Sequence, residues 1–515
     1  MSAIITEQHR ISLAKNFVDS VSTGKDTYYT FIGLPNATDY QSDWNTNPPA
    51  PKDSFDQEND YWDTMIALKK ITANNARLAV KRSSWTSGTT YDMYRNDIAR
   101  TNVSKPSGAT SLYSSNYYVV NDDYKVYICL FNGTDPENPN GRPSLNEPTF
   151  IDLEPRGAGD GADGYIWKYL YTIKPSDIIK FVTTNYIPVP LDWETNSEYS
   201  SLRNNATNSG QLKVVTITNR GVAVGTPNTA ITKVQIKGDG TGAEATIVIN
   251  NDSKVDSITV TKGGSGYTYG TVDLSSANIQ VGTTAPLFNV IIPPKGGHGY
   301  DIYRELGSTR VILYTRFEND TLNPDFIVGN QTARFGIVKN AQTNGSSTLL
   351  NVDRASALYA IKVSGSNHNS NTFPANATFT QTIGIGATAV GRVAAFDYTN
   401  NVLKYWQDRS IVGFNTNGTQ NPSPTYGFNV NDFTNVPATG GSLNLFCRGN
   451  VVPIDITFNG DYNTINNNYL GQSFTNGLSN PEVKKYSGDI IHVDNRPSTP
   501  RSVNQQEDVK VILLF

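Results

Sequence analysis

Helical spacing of apolar residues is confined to a few stretches of this chain. In residues 11–21, Ala14, Phe17, Val18 and Val21 fall on one helical face, and Gly24 supplies the stop. In residues 57–71 (QENDYWDTMIALKKI), Tyr61, Met65, Leu68 and Ile71 form a second stripe. Acids open that segment and lysines close it, which suits a helix dipole. Both stripes are expected to pack into a core. A third, short helix is expected over Pro175–Phe181, with proline in its first turn.

Nearly everything else has the period of strands. Tyr117–Leu130 (YYVVNDDYKVYICL) predicts a hairpin turning at Asn121-Asp122-Asp123, and Gly164–Ile173 predicts a dense aromatic strand. The stretch from the 140s to Ala162 carries Pro, Asn, Gly and acids without a period and reads as loop. From about 211 the texture lightens. Residues 211–290 lose Trp and nearly all Tyr and gain Thr, Val, Ile and Gly. Alternation is clear at Lys233–Lys237, Ala243–Ile249 and Asp256–Thr261, until the run Gly263–Gly266, read as a turn, breaks it. The heavier texture returns over 291–345, with the strand Arg310–Phe317, and a second light, Asn-rich stretch follows over 346–453. It contains a hairpin, Ala389–Phe396 and Val402–Trp406, turning at Thr399-Asn400-Asn401. Residues 454–515 end on a strand, Val509–Phe515.

The two light stretches rhyme. Gly242-Ala243-Glu244-Ala245 precedes an Asn-containing turn and Lys254-Val255. Gly386-Ala387-Thr388-Ala389 precedes another and Asn401-Val402. Related modules and chance similarity of light strands both account for this. The expected fold is mainly β with a few helices. A discontinuous host domain (1–210, 291–345 and 454–515) is interrupted by two inserted all-β, sandwich- or barrel-like modules at 211–290 and 346–453.

A length of 515 residues is compatible with three to four domains at about 150 residues each. Composition narrows the function. Lys plus Arg is 42 against 46 Asp plus Glu, a net charge of −4, so no basic excess points to nucleic acid. No apolar run is long enough to span a membrane, and the start MSAIITEQHR lacks the pattern of a secretory signal. Cytoplasmic synthesis without general export is the expectation. Asn-x-Ser/Thr sequons such as Asn132-Gly133-Thr134 are then only polar loops. Two cysteines, Cys129 and Cys447, build neither a disulfide framework nor a thiolate metal site and are expected to be free and buried.

Catalytic constellations are missing. The four histidines, His9, His298, His368 and His492, are scattered, and no metal pair or nucleophile elbow occurs. Gly24-Lys25-Asp26 mimics the end of a phosphate loop, but Asp19 and Asp26 stand where glycine and Ser/Thr belong. The best acidic cluster is Asp152, Glu154, Asp160 and Asp163 in DLEPRGAGDGADG. Paired carboxylates could hydrolyse a glycosidic bond, and Asp–Gly spacing could hold a divalent ion, yet tight turns need the same residues. His298, flanked by Gly297 and Gly299, marks either a functional or a structural loop. Asp494 and Arg496 in DNRP are either a charge-assisted pair bracing the C-terminal strand or a subunit contact, or part of a solvated loop. No catalytic, cofactor or metal residue is assigned.

The ordered segments YWDTMIALKKI leading into AVKRSSW, GDGADGYIWKYLYTI, ARFGIVKN, and SGDII…DNRP…VILLF resemble a known family. It is the gene 8 family of baseplate wedge subunits from T-even-type contractile-tailed bacteriophages. The resemblance implies a structural protein of the virion tail baseplate, assembled in the bacterial cytoplasm. It implies a homodimer that joins other baseplate wedge proteins and binds no small-molecule substrate, cofactor or nucleic acid. It lies in the host segments, which leaves the role of the two light modules open. The abundance of Tyr (28) suits interfaces, because the ring buries area while its hydroxyl stays wet. Tyr113–Tyr118 (YSSNYY) and Tyr426–Phe433 are the expected contact segments. A glycan- or receptor-binding tail protein is the alternative, with Trp406 as the residue to watch.

Overall fold

The computed structural model describes residues 4–35, 44–206, 211–318, 330–384, 387–407, 427–428, 441–461, 472–502 and 505–515. It is mainly β, with 41% strand against 13% helix. Two compact units emerge. One comprises residues 1–18, 77–312 and 512–515, and the other residues 19–76 and 313–511.

In the first unit, the hairpin Tyr118–Val120 and Lys125–Asn132 turns at Asn121, whose Oδ1 accepts the backbone N–H of Lys125 at 2.8 Å. The strand Tyr165–Thr172 continues this sheet antiparallel to Lys125–Asn132. Trp167 is fully buried, stacked on Tyr165 and met edge-on by Tyr91. The helix Pro175–Phe181 forms where expected, with proline at its first turn. Arg77 locks it in place by pairing bidentately with Asp177 at 3.1 and 3.2 Å.

Residues 211–290 hold a core of their own. A four-stranded antiparallel sheet runs in the order Val255–Ser265, Thr241–Ile249, Ala230–Gly238, Gly270–Asp273. A ribbon of Val215–Asn219 and Leu287–Val290 lies beside it. Hydrogen bonds from Leu212 N to Gly263 O and from Val255 N to Arg220 O tie the ribbon segment to the sheet edge. Val234, Ile236, Ala245, Ile247 and Val255 are buried between them. The glycine run does not end its strand: Val255–Ser265 stays paired through Gly263, opposite Ala243, and Ser265, opposite Thr241, with a register shift nearby. A bulge absorbs the irregularity that the sequence presented as a turn.

The second unit contains a five-stranded antiparallel sheet ordered Arg354–Ser356, Met65–Ile71, Tyr28–Gly33, Gln331–Lys339, Asp489–Pro500. Here the sequence expectation fails in part. The helix that periodicity placed over 57–71 covers Phe55–Thr64, and Met65 turns to extended backbone (ψ 133°). Met65–Ile71 is a strand flanked on both edges, with Met65–Leu68 all buried. Apolar residues in an unbroken run satisfy a doubly covered strand as well as a helix face, and long-range pairing decides between them. The far edge, Asp489–Pro500, is partly covered: Trp44 Nε1 donates to Arg496 O, Asn45 Oδ1 accepts from Ser498 N, and Asn495 Nδ2 donates to Pro49 O. Such cover blunts an edge that would otherwise invite pairing.

A seven-stranded sheet in the same unit runs in the order Asn450–Pro453, Asn444–Cys447, Thr378–Gly384, Ala387–Asp397, Val402–Trp406, Tyr359–Lys362, Leu478–Ser479. The expected hairpin is there, with Asn401 in left-handed backbone (φ 56°) at its turn. Phe379, Tyr405 and Phe428 form a mutual aromatic cluster in its core. Both cysteines are free and buried. Among the described residues, no helix is long and apolar enough to cross a membrane.

Candidate functional site

The acidic cluster is dispersed into separate structural duties. Asp163 is buried, and its carboxylate accepts the backbone N–H groups of Leu145, Asn146 and Tyr165 at 2.9–3.2 Å. Asp160 accepts from Asn146 Nδ2 and Ala162 N, the bonding of a turn. Asp152 pairs with Arg156 at 2.8 Å on the surface. Glu154 accepts from Lys213 and Asn205 at 3.0 and 2.7 Å. Burial works to raise its carboxyl, but these two donors outweigh it and hold it below the ordinary range. Asp160 and Asp163 thus both brace Asn146, while Asp152 and Glu154 pair with Arg156 and Lys213, so each carboxylate is engaged by a structural partner.

His298 is the centre of the best-formed polar site. Gly297 adopts φ +90°, and a Cβ there would stand 2.3 Å from Ala206 O, so glycine is what lets the loop lie against the helix Ser200–Ala206. The buried imidazole Nδ1 lies 2.6 Å from Glu305 Oε1, and Glu305 Oε2 accepts the Gly299 N–H at 2.7 Å. Tyr94 meets the imidazole edge-on at 4.7 Å, and Tyr117 donates its hydroxyl to the Glu305 carbonyl. Lys168 donates to Leu153 O at 2.7 Å and to Asn205 Oδ1 at 2.9 Å. Burial brings its ammonium down to about 8, against the pull of Glu305. A chain of contacts therefore runs Leu153–Lys168–Asn205–Glu154–Lys213, joining the acidic loop, a core strand, a helix and the start of the light module.

A histidine oriented by a glutamate supplies two members of a catalytic triad, so access and a third group decide its use. The cavity beside Tyr94, Val214, Ile291 and His298 is about 10 Å³, room for one water at most. Glu305 is 2% exposed. The arrangement holds a loop in place and admits no substrate. Glu305 and Lys168 escaped the sequence reading because no local spacing links them to His298; only the fold brings them together.

The segment Tyr113–Tyr118 corrects an expectation. Tyr117 and Tyr118 are buried in the first unit, the latter donating to Lys81 O, and Tyr113 donates to Arg304 O. The rings of Tyr117 and Tyr118 are spent on the chain's own interior, while Tyr113 is only partly buried. Of Tyr426–Phe433, only Gly427 and Phe428 are among the described residues, and Phe428 is core. Trp406 is fully buried beside Ile66, Phe317 and Ala394, so it offers no stacking platform to a sugar. Asp494 and Arg496 do pair, at 2.6 Å, on the strand Asp489–Pro500 rather than on a loop. Both side chains are well exposed, so the pair contributes little to stability.

Comparison with known proteins bears on this geometry. Residues 3–152 and 144–210 match the family model described as Bacteriophage T4, Gp8. This region resembles the gp8 family of baseplate wedge proteins. A curated relative, baseplate wedge protein gp8 of Enterobacteria phage T4, is 28% identical over 211 residues. The alignment covers 36% of this chain and 60% of the relative. The matched gp8 region contains Lys168, the acidic loop and the hairpin at Asn121, and it ends where the first light module begins.

Proposed function

We propose that this chain is a structural subunit of a phage tail baseplate wedge, one that links neighbouring wedge proteins as a homodimer and converts no substrate. The observation that carries the reading is the similarity of residues 3–210 to the gp8 family. Support comes from the pair His298 and Glu305, which is buried beside a cavity of only about 10 Å³. Tyr117 and Tyr118 are packed inside, as suits a rigid assembled part. In this reading the protein resides in the virion tail and assembles in the bacterial cytoplasm. Residues 1–210, 291–345 and 454–515 form the host domain, and 211–290 and 346–453 are added modules.

The test is a nonsense mutation in the reading frame of the phage that carries it, grown on suppressing and non-suppressing hosts. Without suppression, electron microscopy is expected to show no complete baseplates. Intact contractile tails made in its absence overturn the proposal. Sedimentation equilibrium of the purified chain tests the finer statement: a single monomer mass at micromolar concentration removes the homodimer.

A further inference from the structure

A lysine taken out of water needs a counter-ion or must become a neutral amine. Lys168, on the strand Tyr165–Thr172, is 2% exposed, and its Nζ bonds two uncharged acceptors, Leu153 O at 2.7 Å and Asn205 Oδ1 at 2.9 Å. A neutral amine has two N–H bonds and a lone pair, so two acceptors satisfy its hydrogens and leave the lone pair free. Burial brings the group down to about 8, with Glu305 opposing, Lys213 adding to the fall and Glu154 opposing. Lys70 also reaches an asparagine, Asn351, but at the surface, where water surrounds the amine.

Asn205, on the helix Ser200–Ala206, is held at both ends of its amide. Oδ1 accepts from Lys168, and Nδ2 donates to Glu154 Oε1 at 2.7 Å. The amide carbon Cγ stands one carbonyl bond, about 1.2 Å, beyond Oδ1. The lysine Nζ is therefore at most about 4.1 Å from Cγ, against roughly 3–3.5 Å for reacting atoms poised to combine. Burial raises the Glu154 carboxyl, but Lys213 and Asn205 lower it by more, so it stands as an ionised base beside the amide nitrogen. Its side chain is 67% exposed, which opens a path to water for whatever leaves that nitrogen's position. Amine, amide and base thus follow one another in hydrogen-bond contact, the amine end dry and the base end wet.

We propose that Lys168 and Asn205 join in an intramolecular isopeptide bond, with Glu154 as the base. Nζ attacks Cγ, so the Nζ–Cγ bond forms and the Cγ–Nδ2 bond breaks. One proton passes from Nζ to Nδ2 by way of the Glu154 carboxylate, and ammonia leaves. Nothing is oxidised or reduced, and no co-reactant enters. The bond ties a core strand to a helix 37 residues further along the chain. The test is the intact mass of the purified full chain, taken before and after incubation at about pH 9, where the amine is mostly neutral. The wild type is expected to become lighter than its sequence by one ammonia, and its tryptic digest to contain one branched peptide joining residues 168 and 205. Lys168→Arg and Asn205→Ala should yield no branched peptide. Glu154→Gln, which keeps an acceptor for Asn205, should link about a hundredfold more slowly. A wild type that keeps its full sequence mass after incubation overturns the proposal. So does ammonia lost without the branched peptide, the mark of cyclisation at an Asn–Gly pair such as Asn132-Gly133. Linkage of Glu154→Gln at the wild-type rate overturns the part given to the glutamate.

Discussion

The ammonium of Lys485 donates to the carbonyls of Trp62 and Asp63, each at 3.1 Å, where the helix Phe55–Thr64 runs out of its own donors. A helix end leaves carbonyls without partners, and a cation there also meets the negative end of the dipole. Tyr486 donates to the Asp63 carboxylate beside it. Three residues earlier, Glu482 accepts the Ser356 N–H at 2.8 Å and faces Lys404. Burial raises the Glu482 carboxyl to about 7, against Ser356 and Lys404, and lowers Lys404 and Lys485 to about 8. The sign follows: a carboxyl raised in the folded state contributes stability fully below about pH 4.5 and loses it as pH climbs through about 7, at most about 3 kcal/mol. Glu482→Gln cannot titrate. Its unfolding free energy, measured by urea with tryptophan fluorescence, should therefore gain on the wild type between pH 5 and pH 8. A constant difference over that range refutes the assignment. None of this was legible in NPEVKKYSGD, because its partners Lys404, Ser356, Trp62 and Asp63 are all remote in sequence.

At the scale of elements, turns and isolated helices were readable because their causes are local. Pro175 starts its helix, Asn121 closes its hairpin, and Gly24 follows the end of Glu7–Thr23 in left-handed backbone (φ +67°). Met65–Ile71 was misread because its cause is not local: the strands on either side come from residues 28–33 and 354–356. The same sheet explains the glycine in ARFGIVKN. A Cβ at Gly336 would stand 2.3 Å from the ring of Phe31 and 2.5 Å from His492 O, so the strand accepts no side chain there. Phe31 and Gly336 are direct cross-strand partners, the ring filling the space the glycine leaves. Gly336→Ala should cost about 2 kcal/mol through overpacking and lower the melting temperature by several degrees. An unchanged calorimetric transition would show that the ring can move aside.

For the whole molecule, one of the two light stretches has a core of its own, whereas Leu358, Ala394 and Trp406 of the other pack with Ile66 and Phe317 of the heavier segments. Every buried member of one hydrophobic cluster lies between Leu212 and Val290. That texture was visible in sequence because a module that buries its own small β-branched residues needs no Trp and little Tyr. The rhyme between the two light stretches also has a structural counterpart, since each contains three sequential strands paired as a meander: 230–265 in one and 378–406 in the other. What sequence could not show is how the first module is held. Lys213 pairs with Glu154 at 3.0 Å, and Arg220 pairs with Glu137 at 2.7 Å while donating to the carbonyls of Val255 and Asp256. Glu154 and Glu137 are both more than half exposed, so each pair contributes at most about 1 kcal/mol, far less than a buried core of this size. Residues 211–292 expressed alone should therefore fold without the rest of the chain, giving dispersed amide resonances and one cooperative urea transition. Collapsed resonances and a sloping, midpoint-free melt would mean that the attachment to the gp8-like region, and not the private core, keeps the module folded.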